Sequence, residues 1–207
     1  MALQALWYQS MMPQELVDVI ENDLSLNYDG KMMDSRLAGE IVNRRKRSSQ
    51  NAWVETTHWV SGLVWHYVNF ANQQNFMFDI DAIDGNTVQY TKYEEGEFYN
   101  WHTDAWLEAM YNKQTSNYND VEASGKDMIR LGIEKVRKLS CIIQLSDPHD
   151  YEGGNVQMMD DTENTFFVPR QRGTVVVFDS RTKHRVNKIR SGTRKSIVAW
   201  ALGPRWK

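Results

Sequence analysis

Two histidines and an aspartate stand out in this chain: His102-Thr103-Asp104, and His184 about eighty residues later. Two imidazoles and one carboxylate leave coordination positions of a first-row metal open, as non-haem ferrous sites do. Ten residues past His184 comes Arg194-Lys195-Ser196. A guanidinium fork with a hydroxyl beside it suits a carboxylate, which it holds by paired, charge-assisted hydrogen bonds. Taken alone, His-x-Asp is a common surface accident, and a lone arginine more often pairs with a nearby acid; Asp179 is the candidate acid here. The order and spacing of the whole set carry the metal reading.

Such a set needs strands to aim it. Side chains two apart on a strand share a face, so His102 and Asp104 are expected to project together from one strand. By the same alternation Arg194, Ser196, Val198 and Trp200 share a face, as do Ser140, Ile142 and Gln144. The mixed polar and apolar character of the last three suits a ligand cavity. His58, His66 and His149 lack comparable company and read as helix or loop residues.

The elements fall into two blocks. An edge strand is expected over 3–8, then a helix opened by Met12-Pro13 with Leu16, Val17, Ile20 and Leu24 as its apolar stripe. A polar stretch over 27–51 contains Arg44-Arg45-Lys46-Arg47, whose bland reading is a solvated face. A second helix fits 57–75, with Trp59, Leu63, Tyr67 and Phe70 at helical spacing. Short runs at 88–93, 138–145, 155–159, 165–169, 173–178 and 194–202 then read as strands between turn clusters. Helices first and strands later predict a mainly β fold with N-terminal helices, packed on a double-sheet jelly roll. We expect one domain over 1–207: a helical support over 1–80 and a β core over 84–207, interrupted by a long insert at 105–136. That insert reads either as a lid or as a surface excursion.

The chain has 207 residues and a formal net charge of −3, which gives no general attraction to nucleic acid or anionic lipid. Cys141 is the single cysteine, so no internal disulfide forms. With no signal-like start and no membrane-length apolar run, a cytoplasmic protein without membrane contact is expected. Oligomeric state is not legible.

The segment from Tyr93 to Asp104, YEEGEFYNWHTD, resembles the Tyr-x-x-Gly-x-x-Tyr-x-x-His-x-Asp stretch of 2-oxoglutarate- and Fe(II)-dependent dioxygenases, in particular the prolyl 4-hydroxylase-like group. Arg137-Lys138-Leu139-Ser140, Glu152-Gly153-Gly154, the run from Gly173 to Phe178, His184-Arg185-Val186 and Gly192-Thr193-Arg194-Lys195-Ser196 extend the likeness. The resemblance implies a double-stranded β-helix (jelly-roll, cupin-like) core with Fe(II) on His102, Asp104 and His184. It implies 2-oxoglutarate held through its 5-carboxylate by Arg194, with Tyr93 and Ser196 assisting. Dioxygen is the other co-substrate, and ascorbate an accompanying reductant in some relatives. Gln144 stands where some members place a tyrosine beside 2-oxoglutarate. Positions matching Tyr99, Arg137 and Trp200 lie next to substrate in the prolyl hydroxylase-like members. The implied reaction hydroxylates a C–H bond of a peptide or protein residue, prolyl among them. A small-molecule or nucleobase hydroxylase, and a non-catalytic metal-binding sensor or scaffold, are the alternatives; net charge speaks against nucleic acid.

Overall fold

The computed structural model describes residues 4–9, 11–35, 43–84, 88–105 and 135–204. The 105–136 insert lies almost wholly outside the described residues. In chain order the elements are β1 (Ala5–Tyr8), α1 (Gln14–Tyr28), β2 (Met33–Asp34), β3 (Arg47–Ser48), β4 (Gln50–Val54), α2 (Trp59–Ala71) and β5 (Ala82–Ile83). There follow β6 (Val88–Tyr93), β7 (Phe98–His102), β8 (Lys135–Gln144), β9 (Tyr151–Gly153), β10 (Val156–Met159), β11 (Thr165–Phe167), β12 (Val175–Asp179), β13 (His184–Val186), β14 (Ile189–Gly192) and β15 (Arg194–Pro204).

These strands form a jelly roll. The major sheet runs β1-β12-β8-β15-β6-β4-β2, with β5 added alongside β15, and the minor sheet runs β11-β10-β13-β7-β3. All pairings are antiparallel. The order interleaves distant segments, so each sheet forms only when strands far apart in sequence meet. β14 and β9 make a separate ribbon at one end.

Both helices lie on the outer face of the major sheet. Val17, Ile20 and Leu24 of α1 and Val60, Val64, Val68 and Ala71 of α2 are buried there against Ala52, Val54, Val88, Tyr90, Cys141, Ile143, Val175, Val177, Ile197 and Ala199. Fully burying each large aliphatic side chain in such a layer contributes about 1.5–3 kcal/mol. The α1 stripe matches its expected residues, Leu16 being only partly buried. The α2 stripe does not. Its buried face is Val60, Ser61, Val64, Tyr67, Val68 and Ala71, while Trp59 is 44% exposed. Leu63 and Phe70 sit at the rim, where large side chains keep partial solvent contact. A second apolar layer fills the space between the sheets: Ile142, Val176 and Phe178 from the major sheet face Val156, Met158 and Val186 from the minor one.

Cys141 sits on the helix-covered face of β8, and burial pushes its thiol up to about 12. No helix among the described residues is long and apolar enough to cross a membrane.

Candidate metal centre and carboxylate cradle

The candidate metal-ligating side chains come from the ends of two neighbouring strands of the minor sheet and from the segment just past one of them. β7 and β13 pair with His102 directly across from His184. Asp104 is not on the strand as expected. β7 ends at His102, and Asp104 lies two residues beyond, where its amide and that of Ala105 donate to the carbonyl of Ser180 at 2.9 Å. The turn between β12 and β13 therefore clasps the chain after His102. Leaving the strand frees the carboxylate to swing between the two rings.

The donor atoms converge. His102 Nε2 is 3.7 Å from Asp104 Oδ1, and His184 Nε2 is 3.5 Å from Asp104 Oδ2. All three ligand atoms lie within 4.8 Å of one another. A small inward movement brings each to the roughly 2 Å of a metal bond. His102 Nδ1 is 2.8 Å from the Asn100 carbonyl and His184 Nδ1 is 2.9 Å from the Thr182 carbonyl. A carbonyl only accepts, so each Nδ1 carries the proton and each Nε2 lone pair faces inward. This is the outer-shell fixing of tautomer that metal-bound histidines use.

Asp104 is held as firmly. Ser140 Oγ donates to its Oδ2 at 2.8 Å and accepts from Ser180 Oγ at 2.9 Å. Burial works to raise the Asp104 carboxyl, but the neighbouring His184, His102 and Arg137 outweigh it and hold the group below its ordinary value. For His102, burial and the adjacent His184 pull the ring down to about 3, against the opposing influence of Asp104 and the Asn100 carbonyl. An ionised carboxylate beside a neutral imidazole is the protonation state a metal ligand set requires.

The second half of the site lies on the major sheet's inner face. β15 pairs with β6 and β8 so that Arg194 sits across from Tyr93, Ser196 across from both Thr91 and Gln144, and Trp200 across from Ser140. Arg194 is 1% exposed. Its Nη2 donates to Gln144 Oε1 at 2.7 Å, and its guanidinium carbon stands 5.7 Å from the Tyr93 ring centre. Asp179 is not its partner, contrary to the sequence alternative: Asp179 takes both sides of the Arg181 guanidinium within its own turn. Gly154, at φ +61°, makes room for the arginine; a Cβ there would fall 2.3 Å from Ile189 Cδ1 and 3.3 Å from Arg194 Cδ.

Three polar atoms on this face are buried without a hydrogen-bond partner among the described residues, Arg194 Nε, Ser196 Oγ and Thr91 Oγ1, while the Trp200 indole N–H acts on the Asp104 carboxylate. Buried polar groups are seldom left unpaired, because each costs about 1–3 kcal/mol. Here they all lie on β6 and β15, and a bound acid offers the acceptors they lack. Thr91 escaped the sequence reading; its one signal was its place two residues before Tyr93.

The three substrate-side expectations also gather here. Tyr99 stacks on His102 with ring centres 3.5 Å apart, and burial raises its phenol to about 12, so it stays protonated. Arg137 lies 3.8 Å over the Trp200 ring and forms a two-pronged ion pair with the wholly buried Asp84. Arg47, from the basic run, was missed. It is 7% exposed, and its guanidinium carbon stands 4.7 Å from the Tyr99 ring centre.

Comparison with known proteins gives the same picture. The family model described as the 2OG-Fe(II) oxygenase superfamily matches residues 88–202, which contain both histidines, the aspartate and Arg194. A PKHD-type hydroxylase of Acinetobacter baumannii is 27% identical over 174 residues, covering 83% of this chain and 65% of that protein. The chain thus spans just under two thirds of that relative's length. A PKHD-type hydroxylase of Picosynechococcus is 27% identical over 194 residues, covering 91% and 75%. Among solved structures, a prolyl-4-hydroxylase of Pseudomonas putida superposes with a TM-score of 0.68 at 17% identity, covering 98% of this chain and 94% of that one. The Trichoplax adhaerens prolyl hydroxylase, in complex with a hypoxia inducible factor oxygen degradation domain peptide fragment, gives 0.70 at 15% identity, covering 97% and 84%. At these identities the structural matches establish the jelly-roll fold.

Proposed function

Because this chain belongs to the 2OG-Fe(II) oxygenase superfamily, we propose that it is an Fe(II)- and 2-oxoglutarate-dependent dioxygenase that hydroxylates a C–H bond. The observation that carries this reading is the pairing of an open His102–Asp104–His184 set with a buried arginine whose partner among the described residues is a neutral amide. Iron, 2-oxoglutarate and dioxygen together would supply the oxidising chemistry, with succinate and carbon dioxide as co-products and hydroxylated substrate as product.

The residues' parts follow from their placement. His102, Asp104 and His184 hold the metal, and Ser140 with Ser180 keeps Asp104 turned towards it. Arg194 and Ser196 take the 5-carboxylate of 2-oxoglutarate, with Tyr93 alongside. Gln144 acts by orienting the Arg194 fork, since its amide oxygen is already engaged there. Tyr99, Arg137 and Trp200 line the approach to the metal and shape what enters. Ascorbate, where present, would keep the iron ferrous.

The substrate reading is a peptide or protein residue, prolyl among the candidates, or a free small molecule. Its support is the likeness to hydroxylases by name and to a fold that accommodates a peptide in the Trichoplax relative. A single buried cysteine favours a reducing, cytoplasmic setting. A metal-binding scaffold without catalysis would have no use for Arg194 and its unpaired neighbours.

Succinate release from 2-oxoglutarate, dependent on Fe(II) and dioxygen, tests the proposal. Wild-type protein should release succinate even without substrate, slowly, and Arg194→Ala should not. No succinate from wild type, together with no 2-oxoglutarate binding by calorimetry in the presence of Mn(II), would refute it.

A further inference from the structure

A second arginine at this site is buried with no acid paired to it among the described residues. Arg47 closes the run Arg44-Arg45-Lys46-Arg47, but it does not share that run's exposed setting. Arg44 meets Asp34 at the surface, whereas Arg47 is 93% buried. The cause is register. β3 pairs with β7 so that Arg47 stands across from Tyr99, and the two side chains turn to the inside of the roll together. Tyr99 in turn lies flat on His102. The Tyr99 ring thus meets both the Arg47 guanidinium and the His102 imidazole.

The partners of Arg47 are all neutral. Nε donates to Ser49 Oγ at 2.8 Å and Nη2 to Gln89 Oε1 at 3.3 Å. Nη1 makes no hydrogen bond to a described residue, and no carboxylate among the described residues pairs with the group. Arg137 shows what compensation looks like at the same rim. It also covers an aromatic ring, but buried Asp84 neutralises it. A buried charge without a counter-charge is costly and persists where something that binds supplies the opposite sign. Arg194 has the same signature, a neutral amide partner and spare donors, and its missing acid is the 5-carboxylate of 2-oxoglutarate. Arg47 lies against Tyr99, the ring that stacks on His102.

We propose that Arg47 receives a carboxylate of the substrate, so that the molecule hydroxylated is an acid anchored beside Tyr99, the ring that stacks on His102. This rests on the hydroxylase reading and narrows its substrate class. The carboxylate can belong to a free amino or other organic acid, or to an Asp or Glu side chain of a peptide. The competing role for Arg47 is structural, as a cation that presses Tyr99 onto His102.

The test uses the full chain with Fe(II) and 2-oxoglutarate, reading succinate release above the substrate-free level over paired compounds. One arm sets free L-amino acids against their carboxamides; the other sets short peptides containing Asp or Glu against the same peptides with Asn or Gln. The acid member of at least one pair should exceed its amide at least tenfold in kcat/KM, and the arm in which this happens identifies the source of the carboxylate. In Arg47→Gln the preference should fall below twofold, chiefly through KM, with Arg47→Lys between. Arg47→Met should melt no lower than wild type, since it removes an uncompensated charge. Equal acid and amide in every pair, no stimulation by any member, or a lower melting point of Arg47→Met with acid and amide affected alike each overturns the proposal. Substrate-free succinate release by wild type shows that such a failure belongs to Arg47 alone; its absence overturns the hydroxylase reading as well.

Discussion

The two faces of β8 and β15 share a backbone and almost nothing else. On the outer face Cys141, Ile143, Ile197 and Ala199 are packed dry beneath the helices. On the inner face Ile142 and Val198 alternate with Ser140, Gln144, Arg194, Ser196 and Trp200, which carry hydroxyls, an amide, a guanidinium and an indole. Both faces are buried, so burial alone does not separate core from site. What separates them is satisfaction. The outer face needs no partner, while the inner one holds two polar atoms on β15 and a third on β6 that have none among the described residues. Strand alternation lets one sequence carry stability on odd positions and chemistry on even ones.

The largest expected effects break one face each. His102→Ala or Asp104→Ala should reduce Fe(II)-dependent succinate release to the level of metal-free protein, with the far-ultraviolet circular dichroism spectrum unchanged. Ile143→Ala should do the converse, lowering unfolding free energy by about 2–5 kcal/mol in urea while leaving activity per folded molecule intact. Activity loss in Ile143→Ala at full folding would mean that the faces are not independent.

Next comes Arg194→Ala. Calorimetry with Mn(II) should show 2-oxoglutarate affinity weakened by about 2–5 kcal/mol, as when a buried charge pair loses one partner. Metal affinity alone should stay unchanged. Ser140→Ala is gentler. It removes the hydroxyl that orients Asp104, and metal affinity should fall roughly 10–100-fold, with Ser140→Thr restoring part of it.

The smallest effect is a pH dependence of the metal-free protein. His102 is held down to about 3 in the fold, below its ordinary value of 6.5. Between those two values the unfolded chain binds the extra proton, so stability should drop as pH falls through that window. Urea midpoints measured from pH 7 to pH 4 should decline less steeply for His102→Gln than for wild type. Identical slopes would show that the ring is not desolvated as described.

Much of this contrast was legible in the sequence, and the exceptions have physical causes. Strand β15 was readable because Arg194, Ser196 and Trp200 recur at even positions between the apolar Ile197, Ala199 and Ala201. The two- and three-residue strands β2, β3, β5 and β9 carry no period; only their pairing partners make them strands. Asp104 was placed on the strand by alternation, but the clasp to the Ser180 carbonyl takes it off, and no local signal announces a hydrogen bond 76 residues away. Trp59, Leu63 and Phe70 mimicked a core stripe because amphipathic bulk is welcome at a rim too. Arg47 was hidden by its neighbours, since a charge run reads as surface until a register turns one member inward. The triad and Arg194 were legible because their residue types have few other uses in that order.

Cys141 adjoins Ser140 in sequence, yet it faces away from the metal, across the full thickness of the sheet. Peroxide and other oxidants attack the thiolate, and a thiol pushed up to about 12 in a dry layer offers almost none at neutral pH. A protein that handles dioxygen beside ferrous iron is exposed to stray oxidation whenever turnover misfires. This chain keeps its one sulfhydryl off the first rung of that oxidation ladder.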